Sequence, residues 1–480
     1  MSNEDASKNP KAGAASQPRW IWWLSIAGVV FLLLVVAYWY GALALARHRL
    51  NHEVSAARAR GEPVLVADFR QPDLSDNLNG AVWLAQAAKE LPDSPAFDKF
   101  DMESHQPPYS PADVKALGQI AQACEHVLPL IRKAIRCEHA NWHLSLVPSD
   151  ERNWTNGFIT AIEPQRKLCE YLEYAGIYNH AIGHDAKTIE IVRDILGQAH
   201  VVQLMNYGEL SQLSVQAMYE DTADNLFPMA PSLQIAEHSD DLATGTASVS
   251  QIRELIAAWL TAMPNSDAVA AIQQDRAWLL SEYGIYGDAF AQCPRVLVFL
   301  YRPAIISTLA KGFANLAVQA NAMTQTNFDA AVKKLPVTEK EANNTNAEKL
   351  SQNDPFNVLI TEGDFAKPTS KYPEAFFIGK SLCRLAAVAL AVRWYRVEHG
   401  AYPASLQDLV PKYLPNVPPD PFSSSGSPLE YIHSTKHATV RSVGSKIKGF
   451  PKWLSVSLSP VPFVTHGATT NRVDVSKGLH

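Results

Sequence analysis

The sequence predicts a mainly α-helical protein: an N-terminal transmembrane helix, an irregular helical bundle with one hairpin-repeat-like stretch, and a small C-terminal α+β module. Three observations lead there. No charged residue lies between Arg19 and Arg47. Apolar residues then recur at three-to-four spacing along the middle of the chain, and near the C-terminus the pattern changes to two-residue alternation. A length of 480 residues allows two or three domains, and a hydrophobic fraction of 47% supplies their core. With 42 basic against 48 acidic side chains the net charge is -6, so no basic field exists to attract nucleic acid, and none is expected as a partner.

Residues 1–18 are polar and small and read as a disordered tail. Residues 19–46 read as a transmembrane helix. The run WIWWLSIAGVVFLLLVVAYWYGALALA spans about 40 Å at about 1.5 Å per residue, enough to cross a bilayer. Trp20, Trp22 and Trp23 at one end, with Tyr38, Trp39 and Tyr40 toward the other, fit the two interfacial belts. The lipid bilayer is thus the expected partner of residues 20–46. Ala42, Ala44 and Ala46 offer signal-peptidase sites, but the apolar run exceeds the roughly 7–15 residues of a signal h-region. An uncleaved, single-pass signal anchor is expected.

Residues 47–110 form a stalk and a proline-rich connection. Helix formers continue to Arg60, where Gly61 and Pro63 stop them, and Asn79–Leu91 reads as one short helix. The helical domain covers 111–335 and opens with Ser110 as N-cap, Pro111 at the first helical position and Asp113 in the first turn. Residues 163–205 make the clearest antiparallel hairpin, turning at Gly183-His184-Asp185. Ala175, Gly183 and Ala186 stand where tetratricopeptide units place small residues, but no period of about 34 residues runs along the body. Further helices are expected over 207–222, 249–262, 267–281 and 299–323.

Two histidine pairs carry the chain's metal-binding potential: His139 with His143, and His180 with His184. On a helix, residues four apart share one face, so each pair can hold a metal, with Cys137, Glu138 or Asp185 as third ligand. Neither pair has the glutamate of an HExxH zinc site, and no P-loop, GxSxG elbow, dinucleotide fingerprint or calcium loop occurs. No catalytic or cofactor-binding residue is assigned and no cofactor is expected. Cys124, Cys137, Cys169, Cys293 and Cys383 form no CxxC pair and read as buried free thiols.

Residues 336–372 are a polar linker, 373–458 the α+β module and 459–480 a tail. In the module, Leu385–Val392 is uncharged on every side yet too short to span a membrane, which predicts burial inside the protein. Gly400 ends that helix. Ser405 caps a short helix over SLQDLVPKYL, and strands follow at 429–433, 438–443 and 453–458.

The ordered set Tyr402, Pro403, Leu406, Leu409, Leu414, Pro415, Asp420, Pro421, Phe422, Gly426, Pro428 and Tyr431 resembles the C-terminal part of the major pseudopilins of type II secretion. The whole chain also resembles bacterial membrane-anchored proteins that carry this tail. The resemblance covers about a tenth of the sequence and implies a helix laid on a small sheet, with most of the chain outside the cytoplasm. The membrane segment, however, lies more than 300 residues upstream of the helix it belongs to in pseudopilins. The expected role is a non-enzymatic interaction or assembly component of the bacterial envelope, with other envelope proteins as partners. The alternatives are a membrane-tethered metal-dependent hydrolase using the histidine pairs and a divergent secretion-system component.

Overall fold

The computed structural model describes all residues except 1–18, 72, 101–106, 145–150, 206–207, 237–244, 283–294, 336–370, 447–453, 460–461 and 465–480. Its described part holds 12 α-helices and one three-stranded antiparallel sheet. The linker expected at 336–372 falls outside it, apart from its last two residues, as does the C-terminal tail after residue 464.

Helix α1 runs from Arg19 to Ala59 and stops just before Gly61, whose φ of 73° places it in the left-handed region that glycine adopts without strain. Two helices in the described chain are long and apolar enough to cross a membrane, and burial separates them. Only 11% of the apolar window of α1 is buried, whereas 78% is buried in the C-terminal helix Lys371–His399. The apolarity of α1 is therefore bare, and that of the C-terminal helix is core.

Beyond Trp39, α1 is not the free stalk that the sequence suggests. It lies along the helix Arg295–Met323 in the same direction: Trp39 stacks on Phe299, Leu43 and Ala46 enclose Ile306, and Ala57 and Val64 enclose Phe313. Alanine and leucine on the stem, which read as simple helix formers, are the packing face.

The body consists of α2 (Gly80–Glu90), α3 (Pro111–Cys124), α4 (Leu128–Ile135), α5 (Glu151–Ala181), α6 (Asp185–Gln203), α7 (Gly208–Met229), α8 (Val249–Thr261), α9 (Asn265–Glu282), α10 (Arg295–Met323) and α11 (Phe328–Lys334). The start of α3 is the expected one: Ser110 Oγ accepts from the Asp113 N–H at 3.2 Å, and Asp113 accepts from the Ser110 N–H at 2.8 Å. Helix α6 is the central rod, touching α2, α4, α5, α7 and α8. Being covered all round, it buries polar Thr188, Gln198 and Gln203 along with its aliphatics, and each of those polar side chains finds a hydrogen bond.

The last helix, α12 (Lys371–His399), packs on α7 and α8 with one side and on the sheet with another. All eight side chains of Leu385–Val392 have no exposed surface. Strands β1 (Glu430–His433), β2 (Ala438–Arg441) and β3 (Ser455–Ser457) are antiparallel neighbours, with Tyr431 opposite Val440 and Val440 opposite Val456. Leu454, Val456 and Leu458 point inward, as their alternation requires. One hydrophobic cluster runs continuously from Ala81 to Phe463, so the helical body and the helix-on-sheet module share a core. The SLQDLVPKYL segment differs from expectation: it is a 3-10 turn over Leu406–Leu409, not an α-helix. Pro411 removes the backbone donor that a longer helix would need.

Candidate functional site

The first histidine pair does not sit on a helix. The chain after α4 is irregular, His139 forms a parallel bridge with Asn79, and His143 takes a φ of 52°. The shared helical face expected for His139 and His143 therefore does not exist, and both side chains are exposed. What this segment supplies is backbone: the His139 carbonyl accepts from the Gly80 N–H at 3.0 Å, and the Asn141 carbonyl accepts from the Asn79 amide at 2.8 Å, fixing the start of α2.

The second pair is split by a turn. His180 is in the last turn of α5, Gly183 takes a φ of 82°, and His184 stands exposed before α6. That turn brings Asp185, the first residue of α6, back against His180. The His180 ring N–H at Nδ1 donates to Asp185 Oδ1 at 2.5 Å, and Asp185 Oδ2 accepts from the Gln234 N–H at 2.6 Å. On the other side, His180 Nε2 lies 3.0 Å from Ser232 Oγ, in the 3-10 turn Ala230–Ser232 after α7. The side chains of His180 and Asp185 are 4% and 1% exposed, while Ser232 is half-buried. Phe463 closes the ring from one edge at 4.5 Å. From α12, Arg393 donates to the Leu233 carbonyl at 2.9 and 2.6 Å and so pins the turn that carries Ser232.

The order is Asp185, His180, Ser232, joined by two hydrogen bonds. Asp185 fixes the proton on Nδ1, so Nε2 faces the serine hydroxyl, the connectivity of a serine nucleophile and its base, while that hydroxyl also reaches the Met229 carbonyl as a second acceptor at 3.2 Å. The same bonds also tie α5, α6 and the turn after α7 together. Sequence reasoning noted His180 and Asp185 as ligand candidates and missed Ser232 and Arg393. Ser232 lies 52 residues from its histidine in a stretch with no nucleophile signature, so no local pattern marks it.

A second polar cluster caps α7. The Gly208 N–H donates to Gln274 and the Glu209 N–H to Asp275, each at 2.9 Å, while Gln319 donates to Glu209 at 2.6 Å. Burial raises Asp275 well above the usual carboxylate range, with the neighbouring Glu209 charge adding to it, and burial pushes Glu209 up to about 7. The Tyr372 hydroxyl, buried in the first turn of α12 and raised by desolvation and by these carboxylates, has no hydrogen-bond partner among the described residues. This cluster satisfies the orphan donors at a buried helix start.

Among the described residues, no group of three or more His, Cys, Asp or Glu side chains is arranged to hold a metal ion. Cys124, Cys169 and Cys383 are buried free thiols and Cys137 is a half-buried one. Burial pushes Cys124 up to about 12 and also raises Cys169 and Cys383, which makes them poor nucleophiles and poor ligands. Cys293 lies outside the described residues.

Fold and site together define a helical protein with an N-terminal apolar helix suited to a membrane anchor and a Ser-His-Asp hydrogen-bond chain inside its body. No protein-family model, no curated protein and no solved structure matches the chain.

Proposed function

We propose that this chain is a single-pass membrane-anchored envelope protein whose body serves contacts with other envelope proteins. The observation that carries this reading is the first part of α1: residues 20–46 carry no charge and are long enough for a bilayer, and only 11% of the helix's apolar window is buried. The stem beyond Trp39 packs directly on α10, so the anchor holds a rigid body and not a tethered one. The likeness of residues 402–431 to major pseudopilins belongs to this proposal as ancestry, and it supports placing the body outside the cytoplasm. Crosslinking in native membranes tests the role, with a recurrent envelope partner expected and none overturning it. Reporter fusions after residues 60 and 470 test the topology, and cytoplasmic signals at both would sink the exported body.

A second reading rests on the His180–Asp185–Ser232 geometry: a membrane-tethered hydrolase that uses serine where the alternative reading of the sequence invokes a metal. Ser232 Oγ attacks an acyl carbon while its proton passes to His180 Nε2. The leaving group departs with that proton, and water then cleaves the acyl-serine with His180 again as base. A fluorophosphonate probe on the full chain decides it. Labelling that disappears in Ser232→Ala and His180→Ala supports catalysis; an unlabelled wild-type protein leaves the chain of bonds as a structural tie.

A further inference from the structure

The start of α10 shows a second bare apolar surface. Val296 is 69% exposed, Phe299 51%, Leu300 52% and Tyr301 40%, within a segment whose charges are confined to Arg295 and Arg302. A soluble helix end with this composition would normally turn these side chains into the core or dilute them with charge. Here they lie beside the anchor. The Trp39 ring stacks on Phe299 with centroids 4.5 Å apart, and its indole N–H donates to the Leu300 carbonyl at 2.9 Å.

The depth of that contact follows from helix geometry. From Trp20 to Trp39 the rise is about 30 Å, the thickness of the hydrocarbon layer, so Trp39 stands at its boundary once Trp20 marks the other. Because α1 and α10 run in the same direction, residues before Phe299 lie on the membrane side of Trp39. Val296 reaches roughly 5 Å past that level, and Arg295 a further turn-fraction, within reach of headgroups by snorkelling. Residues after Tyr301 climb away from the membrane and become buried: Ile305 and Ile306 are 6% and 1% exposed. The exposed apolar stretch thus ends where protein packing replaces it.

We propose that the N-terminal end of α10 inserts into the same bilayer leaflet as the part of α1 that ends at Trp39, giving the body a second lipid contact formed by Val296, Phe299, Leu300 and Tyr301. The occupant is lipid and not a partner protein, because the patch continues the lipid-facing surface of α1 at the depth set by Trp39. An amphipathic end buried about 5–10 Å at the headgroup boundary is enough to fix the tilt and rotation of a body that a lone helix would leave free to swivel. This rests on the reading of α1 as a membrane span, and the test separates the two.

The full chain, reconstituted in phosphatidylethanolamine/phosphatidylglycerol vesicles, would carry the photo-crosslinker p-benzoylphenylalanine at one position at a time. Phe31 reports the span, Val296 and Leu300 report the patch, and exposed Lys436 is the control. Expected are lipid adducts at Phe31, Val296 and Leu300, and a yield at Lys436 lower by about tenfold or more. Adducts at Phe31 alone would overturn the second contact and leave the anchor standing. Crosslinks from Leu300 to another protein copy would overturn it in favour of a dimer face. No adduct at Phe31 would remove the anchor itself.

Discussion

Asp420 shows how much one side chain can organise. It is 1% exposed, and its two oxygens accept from the Phe422 N–H at 2.9 Å, the Ser442 hydroxyl at 2.8 Å and the Val443 N–H at 2.7 Å. Those bonds join the turn after α12 to the end of β2. Asp420→Ala leaves a buried and a half-buried N–H group without acceptors, and a cost of about 2–4 kcal/mol is expected, read as a lower denaturation midpoint with an unchanged slope. Asp420→Asn should recover part of it, since one carbonyl oxygen still accepts. The importance of Asp420 was legible in the sequence only as one position of a proline-rich turn. Two of its three partners, Ser442 and Val443, lie more than 20 residues on, beyond what local spacing reveals. Ser232 was illegible for the same reason, whereas His180 stood out by its four-residue spacing to His184, and Asp185 as the third-ligand candidate beside that pair.

At the scale of elements, periodicity read well wherever one face is buried. The alternation around Val456 gave β3, and the uncharged Leu385–Val392 gave a buried helix, because each pattern directly encodes which surfaces meet protein. It could not say which element would be met, and so α12 as a wall shared by body and sheet came only with the structure. The start of α7 is a case where backbone geometry decides. Gly208 has a φ of 62°, and a Cβ there would lie 1.8 Å from Asp275 Oδ1. Gly208→Ala should therefore cost upward of about 2 kcal/mol, from left-handed strain plus a displaced cap, detectable as a lowered Tm with faster exchange of the α7 amides. The Glu209 beside it makes a pH prediction. Its folded value, near 7, is above the 4.5 of a free carboxyl, so the folded state holds the proton more tightly than the unfolded one. Stability from this group is complete below about 4.5 and lost as pH rises through about 7. Glu209→Gln mimics the protonated form and keeps an oxygen for Gln319. The Tm difference, variant minus wild type, should grow between pH 4.5 and 8; a flat difference would refute the buried-acid account.

At the scale of the whole molecule, the joint between anchor and body is the point on which both proposals turn. No fully buried residue of α1 belongs to the main core, from Ala81 to Phe463, which α1 meets only through half-buried Leu50; the stem packs mainly through two small clusters, one around Ile306 and one around Phe313. Between them and the body stands Arg276 of α9, whose side chain is 1% exposed. It donates to Glu62 Oε2 at 2.7 Å and to the Pro63 carbonyl at 3.0 Å, with its guanidinium 4.8 Å from the centre of the Phe313 ring. Removing one partner of such a buried pair strands the other charge at a cost of about 3–5 kcal/mol, more than surface pairs such as Lys187 with Glu125 can contribute. Because no fully buried residue of the stem belongs to the main core, the penalty should fall mainly on the stem. In Glu62→Ala, hydrogen exchange is expected to rise over residues 43–70, with the amides of α6, α10 and α12 protected as in wild type. A uniform rise across all helices would mean instead that the stem is part of one cooperative fold. A local rise would identify Arg276 and Glu62 as the lock that keeps α1 and α10 side by side, and hence the patch at Phe299 and Leu300 level with Trp39.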